Sequence, residues 1–114
     1  MELTENNISM SSRDLTDEDL YDLVDDKPAL VVFYSEWSGS FQIMKSIYKK
    51  AESVFKNKVK FFYLSNKCCP EIRAEFGIMF FPACLLFNNN KLVDIVEGIV
   101  SKTSLFSKID ALVS

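Results

Sequence analysis

Apolar residues along this chain fall into alternating short runs and helical stripes. Thr16-Asp-Glu-Asp19 precedes Leu20, Leu23 and Val24, a capping-type start with acidic residues where a helix N-terminus favours them. This helix is expected to end before Lys27-Pro28, because proline disfavours helical geometry in the preceding residue. Ala29-Leu-Val-Val-Phe-Tyr34 is an unbroken β-branched and aromatic run, which predicts a central strand covered on both faces. After the break at Ser35–Ser40, the segment 41–56 places Ile43, Met44, Ile47, Tyr48, Ala51, Val54 and Phe55 at 3–4 spacing, the stripe of a helix facing a sheet. Val59–Leu64 predicts a second strand, parallel to the first because a helix crossover joins them.

Pro70 can open a short helix through Phe76, with Gly77 as its C′ residue. Ala83–Phe87 and Leu92–Glu97 flank Asn88-Asn-Asn90, the signature of a hairpin, since Asn tolerates the left-handed backbone of such turns. Ser101–Val113, bearing Leu105, Phe106, Ile109, Leu112 and Val113, closes the chain as a helix. Residues 1–14 form an N-terminal segment in which Ile8-Ser-Met10 can pair as a short edge strand; residues 15–114 read as one domain. Beyond the N-terminal part the order is β-α-β-α-β-β-α, an α/β architecture with a central mixed sheet flanked by helices.

Composition narrows what such a domain does. With 114 residues the chain suits a single domain that buries roughly two-thirds of its unfolded surface. Ten phenylalanines point to an aromatic-rich core. A net charge of −3 without any Lys/Arg run argues against nucleic acid. Histidine is absent, which removes the commonest general base and metal ligand and forbids a Ser-His or Cys-His pair. Glycines stand only at 39, 77 and 98, none in a phosphate-cradling loop. The acids around the first helix lack calcium-loop spacing, and Cys68-Cys69 without histidine or a second pair is no zinc site, so neither cofactor nor metal is expected. The longest apolar run is too short to span a bilayer, and Met1–Met10 lacks the basic and apolar regions of a secretory leader. Three cysteines, an odd number, suit a reducing compartment. The expectation is a cytoplasmic protein, a monomer or weak dimer, that engages neither membrane nor nucleic acid.

Three spaced motifs carry a family resemblance. Phe33-Tyr34-Ser35-Glu36-Trp37-Ser38-Gly39-Ser40-Phe41 stands where thioredoxins have a strand ending in Phe-(Trp/Tyr)-Ala-x-Trp-Cys-Gly-Pro-Cys. Phe76-Gly77-Ile78-Met79-Phe80-Phe81-Pro82-Ala83 resembles that family's Tyr/Phe-Gly-Ile-x-x-Ile-Pro-Thr, and Glu97-Gly98-Ile99-Val100-Ser101-Lys102 its late Val-Gly-x-x-Ser-Lys. The resemblance covers about residues 15–114 and implies a thioredoxin fold, with a cis proline at Pro82 whose segment hydrogen-bonds an extended substrate peptide.

The departures bear on chemistry. Both motif cysteines are replaced, by Ser38 and Phe41, and Ser40 stands in place of the motif proline. The family's buried acid falls at Val32, and the lysine that partners it at Tyr63. Thiol–disulfide exchange needs an attacking thiolate and a resolving thiol; serine without a base is neither. The degenerate motif of Trp37, Ser38, Gly39, Ser40 and Phe41 is therefore expected to be inert.

Two readings remain for the surrounding aromatics. Either Trp37, Phe41, Phe80, Phe81 and Pro82 form an exposed surface that binds a protein or an extended peptide, or Phe80 and Phe81 pack inward and Trp37 caps the helix. Cys68-Cys69-Pro70 offers a separate alternative, an atypical thiol–disulfide oxidoreductase or redox sensor serving cell redox homeostasis. A helix N-terminus and Lys67 would favour a thiolate there, and a disulfide between neighbours would be strained and easily reduced. A cysteine just before this helix also occurs in some animal thioredoxins, a likeness in position to Cys69. Against that stands the plainer reading of two solvent-reachable thiols without a role. Cys84, beside Leu85-Leu86, reads as a small buried hydrophobe.

Overall fold

In the computed structural model, which describes residues 16–25, 27–35 and 38–114, the chain builds on β1 (Ala29–Tyr34), whose six residues are all buried. It pairs in parallel with β2 (Lys60–Ser65) on one side and antiparallel with β3 (Ala83–Asn88) on the other; β4 (Lys91–Glu97) adds to β3, giving the order β2-β1-β3-β4. Successive side chains of a strand point to opposite faces. Leu30, Val32 and Tyr34 therefore enter one core, with α2 (Gly39–Phe55) and α4 (Lys102–Val113), while Ala29, Val31 and Phe33 enter a second, with α1 (Asp17–Val24) and α3 (Pro70–Glu75). The mixed sheet flanked by helices is the thioredoxin-type architecture anticipated from the motifs. The expected edge strand at Ile8–Met10, with the rest of the 1–14 segment, lies outside the described residues.

Local chemistry sets the element ends. Thr16 Oγ1 accepts the Asp19 N–H and Asp19 Oδ2 accepts the Thr16 N–H, both at 3.0 Å, so two orphan donors of α1 are satisfied reciprocally. Ser101 Oγ caps α4 by accepting the Ser104 N–H at 3.1 Å. Gly77, at φ +65°, stands just past α3 in the left-handed region that glycine enters without a Cβ penalty. The hairpin is tighter than the three-Asn reading: Asn88 pairs with Lys91, and the turn is Asn89-Asn90 alone, at φ 53° and 63°.

The stripe of α2 differs from the one expected. Phe41, Met44, Tyr48, Ala51 and Phe55 are buried, whereas Ile43 and Val54 lie on the exposed side. At 3.6 residues per turn the buried five sit within one narrow sector, and positions 43 and 54 fall on its flank. Among the described residues no helix is long and apolar enough to cross a membrane.

Phe33, fully buried in β1, should cost about 3–5 kcal/mol on substitution by alanine, whereas Val54→Ala should stay within about 0.5 kcal/mol. Urea unfolding of the two variants measures the difference.

Candidate functional site

The end of β1 turns into α2 through Ser35 and Ser38, with the Ser38 N–H donating to Ser35 O at 3.0 Å. Ser38 is the N-cap of α2, and its Oγ accepts the Phe41 N–H at 3.2 Å. Its oxygen thus serves the helix. Gly39 is exposed and Ser40 half-buried. Phe41 does not belong to an exposed aromatic surface as the sequence reading had it. Its ring stacks on Tyr34 at 4.6 Å between centroids and joins the α2 side of the core. The phenyl ring follows the burial stripe one turn ahead of Met44, where a solvent-facing position would forfeit that packing. Trp37 lies outside the described residues.

The segment before β3 is pinned at several points. Ile78 donates to Arg73 O at 2.9 Å, and the Met79 and Phe80 N–H groups donate to one carboxylate oxygen, Glu97 Oε2, at 3.1 and 3.2 Å. The Phe81–Pro82 peptide bond is cis, and Pro82 O accepts the Gly98 N–H at 2.8 Å. Gly98 has φ +77°, a conformation that strains any residue with a Cβ. With its backbone fixed, the segment turns Phe80 outward at 65% exposure and Met79 at 76%; Ile99, next to Gly98, is 54% exposed. Phe81 is half-buried and Pro82 buried. Of the five residues read as one surface, the four that are described are separated: Phe80 is exposed, Phe81 partly so, Pro82 is buried, and Phe41 is in the core.

In the core that holds Phe41, Val32 is fully buried, in register with Tyr63 on β2 and Cys84 on β3. Tyr63 donates its hydroxyl to Glu52 Oε1 at 3.0 Å. Burial holds the Tyr48 and Tyr63 phenols protonated well above their ordinary range, with the Glu52 charge adding to the effect at Tyr63. Burial likewise pushes the Cys84 thiol up, leaving a small protonated hydrophobe.

Cys68 and Cys69 are not the solvent-reachable thiols that the sequence suggested. Each is 1% exposed, within the core under α1 and α3. Their Sγ atoms are 2.7 Å apart, and Cys69 Sγ lies 3.6 Å from Thr16 O. The Cys68 thiol is lowered from its ordinary value, first because the Cys69 thiol donates to its sulfur, against the opposing effect of burial; the helping cation is Arg73. Cys69 is raised, since its proton is engaged in that bond and burial opposes its charge. Among the described residues no group of three or more His, Cys, Asp or Glu is placed to hold a metal ion.

The sequence profile of the family described as Thioredoxin matches residues 11–111. This chain belongs to the thioredoxin family. Similar proteins include a thioredoxin of Rickettsia felis, 33% identical over 88 residues covering 77% of this chain and 84% of that one. A thioredoxin of Griffithsia pacifica is 32% identical over 81 residues, 71% of this chain and 74% of the relative. A chloroplastic M-type thioredoxin of Brassica napus is 30% identical over 85 residues, 75% of this chain but 48% of the relative, so the match spans about half of that plant protein. The fold also matches a solved chain from work on the thiol resolving mechanism in yeast mitochondrial 1-Cys peroxiredoxin via glutathione/thioredoxin systems, with a TM-score of 0.75, 19% identity and 93% coverage of each chain.

Within this thioredoxin-family chain, then, no sulfur stands at either motif position at the start of α2. Met79, Glu97 and Ile99 escaped the sequence reading. They occupy unspecified or substituted places in the family motifs, and only the pairing of the two loops reveals them.

Two outcomes follow for this thioredoxin-family site. Ser38→Ala should cost about 1 kcal/mol in urea unfolding through the lost cap. In the native protein, Ellman's reagent should titrate none of the three cysteines rapidly and all of them once guanidinium unfolds the chain.

Proposed function

We propose that this protein is a thioredoxin-family binding module that carries no dithiol chemistry at the start of α2 and holds an extended protein segment across Phe80, Phe81 and Pro82, flanked by Met79 and Ile99. The observation that carries this reading is the outward display of Phe80 and Met79 on a backbone fastened to Glu97 and Gly98. Large apolar side chains on a pre-ordered loop bind with little further entropy loss. Glu97 occupies the N–H groups of Met79 and Phe80, whereas the backbone N–H and C=O of Phe81 pair with no other described residue. Those two groups suit the main chain of an extended segment, in the manner that the family resemblance implies. That none of the three cysteines is joined in a disulfide favours a reducing compartment such as the cytoplasm as its setting.

Burial of a phenyl ring is worth about 1.5–3 kcal/mol, so removing Phe80 from the contact should weaken binding about tenfold or more. An array of short immobilised peptides probes this directly. The wild type should retain a subset of apolar extended peptides, and Phe80→Asp should lose them with an unchanged melting temperature. Identical array patterns for the two proteins would count against the reading. In dithiothreitol-driven insulin reduction, the wild type should give only the uncatalysed rate.

A further inference from the structure

Side chains of neighbouring residues in extended backbone point to opposite sides. At the entrance to α3 they do not. Cys69 adopts the left-handed conformation, φ 53° and ψ 57°, and both thiols turn into the same core with their sulfurs 2.7 Å apart. The pair also sits where α1 is fastened. Cys69 Sγ donates to Thr16 O, the N-cap carbonyl of α1, at 3.6 Å, and Asp17 Oδ1 accepts the Ile72 N–H of α3 at 3.0 Å. Leu20 and Val24 of α1 pack in the cluster that holds Cys68, Cys69 and Ile72.

Cys69 has one thiol proton and two acceptors. While it donates to Thr16 O it cannot donate to Cys68, and once Cys68 is a thiolate the stronger, charge-assisted bond takes the proton. The state of Cys68 is thereby tied to the contact between α1 and α3.

We propose that Cys68 and Cys69 are an oxidative modification site for a hydroperoxide, which closes them into a vicinal disulfide and loosens α1 from α3. The Cys68 thiolate attacks a peroxide oxygen; the S–O bond forms, the O–O bond breaks, and the departing oxygen takes up a proton as water. The Cys69 sulfur then attacks the Cys68 sulfur. The S–S bond forms, the S–O bond breaks, and the hydroxyl leaves as water with the Cys69 proton. Two thiols lose two electrons in total, and one hydrogen peroxide becomes two waters. The sulfurs close from 2.7 Å to the ~2.05 Å of a disulfide, a small movement, but the ring draws Cys69 away from Thr16 and removes its S–H.

Burial selects the reagent. With 1% exposure at each cysteine, a protein disulfide has no route to the sulfurs, whereas hydrogen peroxide is close to water in size and enters through local opening. The site is therefore distinct from dithiol exchange with protein substrates. It also differs in place from the peptide-binding reading: Phe81 packs against the same α1/α3 core, but the exposed Met79, Phe80 and Ile99 take no part in the chemistry.

A convenience of the sequence makes the test direct: trypsin cleaves after Lys67 and Arg73, so one peptide carries both residues. After stoichiometric hydrogen peroxide, that peptide should be lighter by two hydrogens, while Cys84 remains free for alkylation on unfolding. Amide hydrogen exchange across Leu20–Val24 should quicken about fivefold, the equivalent of one lost hydrogen bond, and dithiothreitol should reverse it. In Cys69→Ser, peroxide should leave α1 exchange unchanged, and dimedone present during subsequent unfolding should trap a sulfenic acid on Cys68. A wild-type peptide that stays reduced under peroxide overturns the proposal. So does a disulfide that forms while α1 exchange stays the same.

Discussion

A strand of six buried aliphatic and aromatic residues must be covered on both faces and paired on both edges, and β1 meets that demand by separating two cores. The rest of the molecule follows from its pairings. A parallel partner requires a crossover, which α2 supplies, and an antiparallel one brings the start of β3 to the end of β1. Phe33 stands opposite Leu64 on β2 and Ala83 on β3, and Ala83 stands opposite Glu97 on β4. One edge of the sheet therefore gathers the loop after β1, the chain leading from β2 to Cys68-Cys69, the Ile78–Pro82 segment and the Gly98 turn. Segments widely separated in sequence become neighbours through that register alone. The hydrogen bonds from Met79 and Phe80 to Glu97 and from Gly98 to Pro82 secure the last two to each other.

Features fixed by local chemistry were legible in the sequence. The Thr16–Asp19 capping box, Gly77 beyond α3, the asparagine hairpin and the apolar run of β1 each need only a few neighbouring residues to be read. What escaped depends on contacts distant along the chain. Phe41 looked like the aromatic replacement of a surface cysteine, yet Tyr34 offers it a stacking partner seven residues earlier and the ring turns inward. Ile43 and Val54 fit a 3–4 spacing as well as their buried neighbours do, and only the choice of which sector of α2 is buried excludes them. For Cys68 and Cys69, a polar-looking loop after β2 gave no hint that a left-handed residue would fold both thiols beneath α1.

The substitutions under the family's motif form a consistent set. A buried carboxylate stays tolerable where a partner and a reaction use its charge; without them its desolvation is a net cost of several kcal/mol. On the proposal that no dithiol chemistry runs at Ser38 and Phe41, an acid at position 32 would have no proton to move; valine stands there instead, fully buried between Tyr63 and Cys84. Tyr63, at the place of the partnering lysine, directs its hydroxyl to Glu52 and so remains satisfied without a charge of its own. The remaining thiol pair lies across the sheet, in the other core, beside Arg73 and Asp17 rather than the tyrosines. Any chemistry at Cys68 and Cys69 thus draws on proton and charge partners separate from those beneath Ser38. Because those partners also hold α1, a change at sulfur there bears first on the attachment of a helix, whereas the backbone of Met79 and Phe80 is fastened separately, through Glu97.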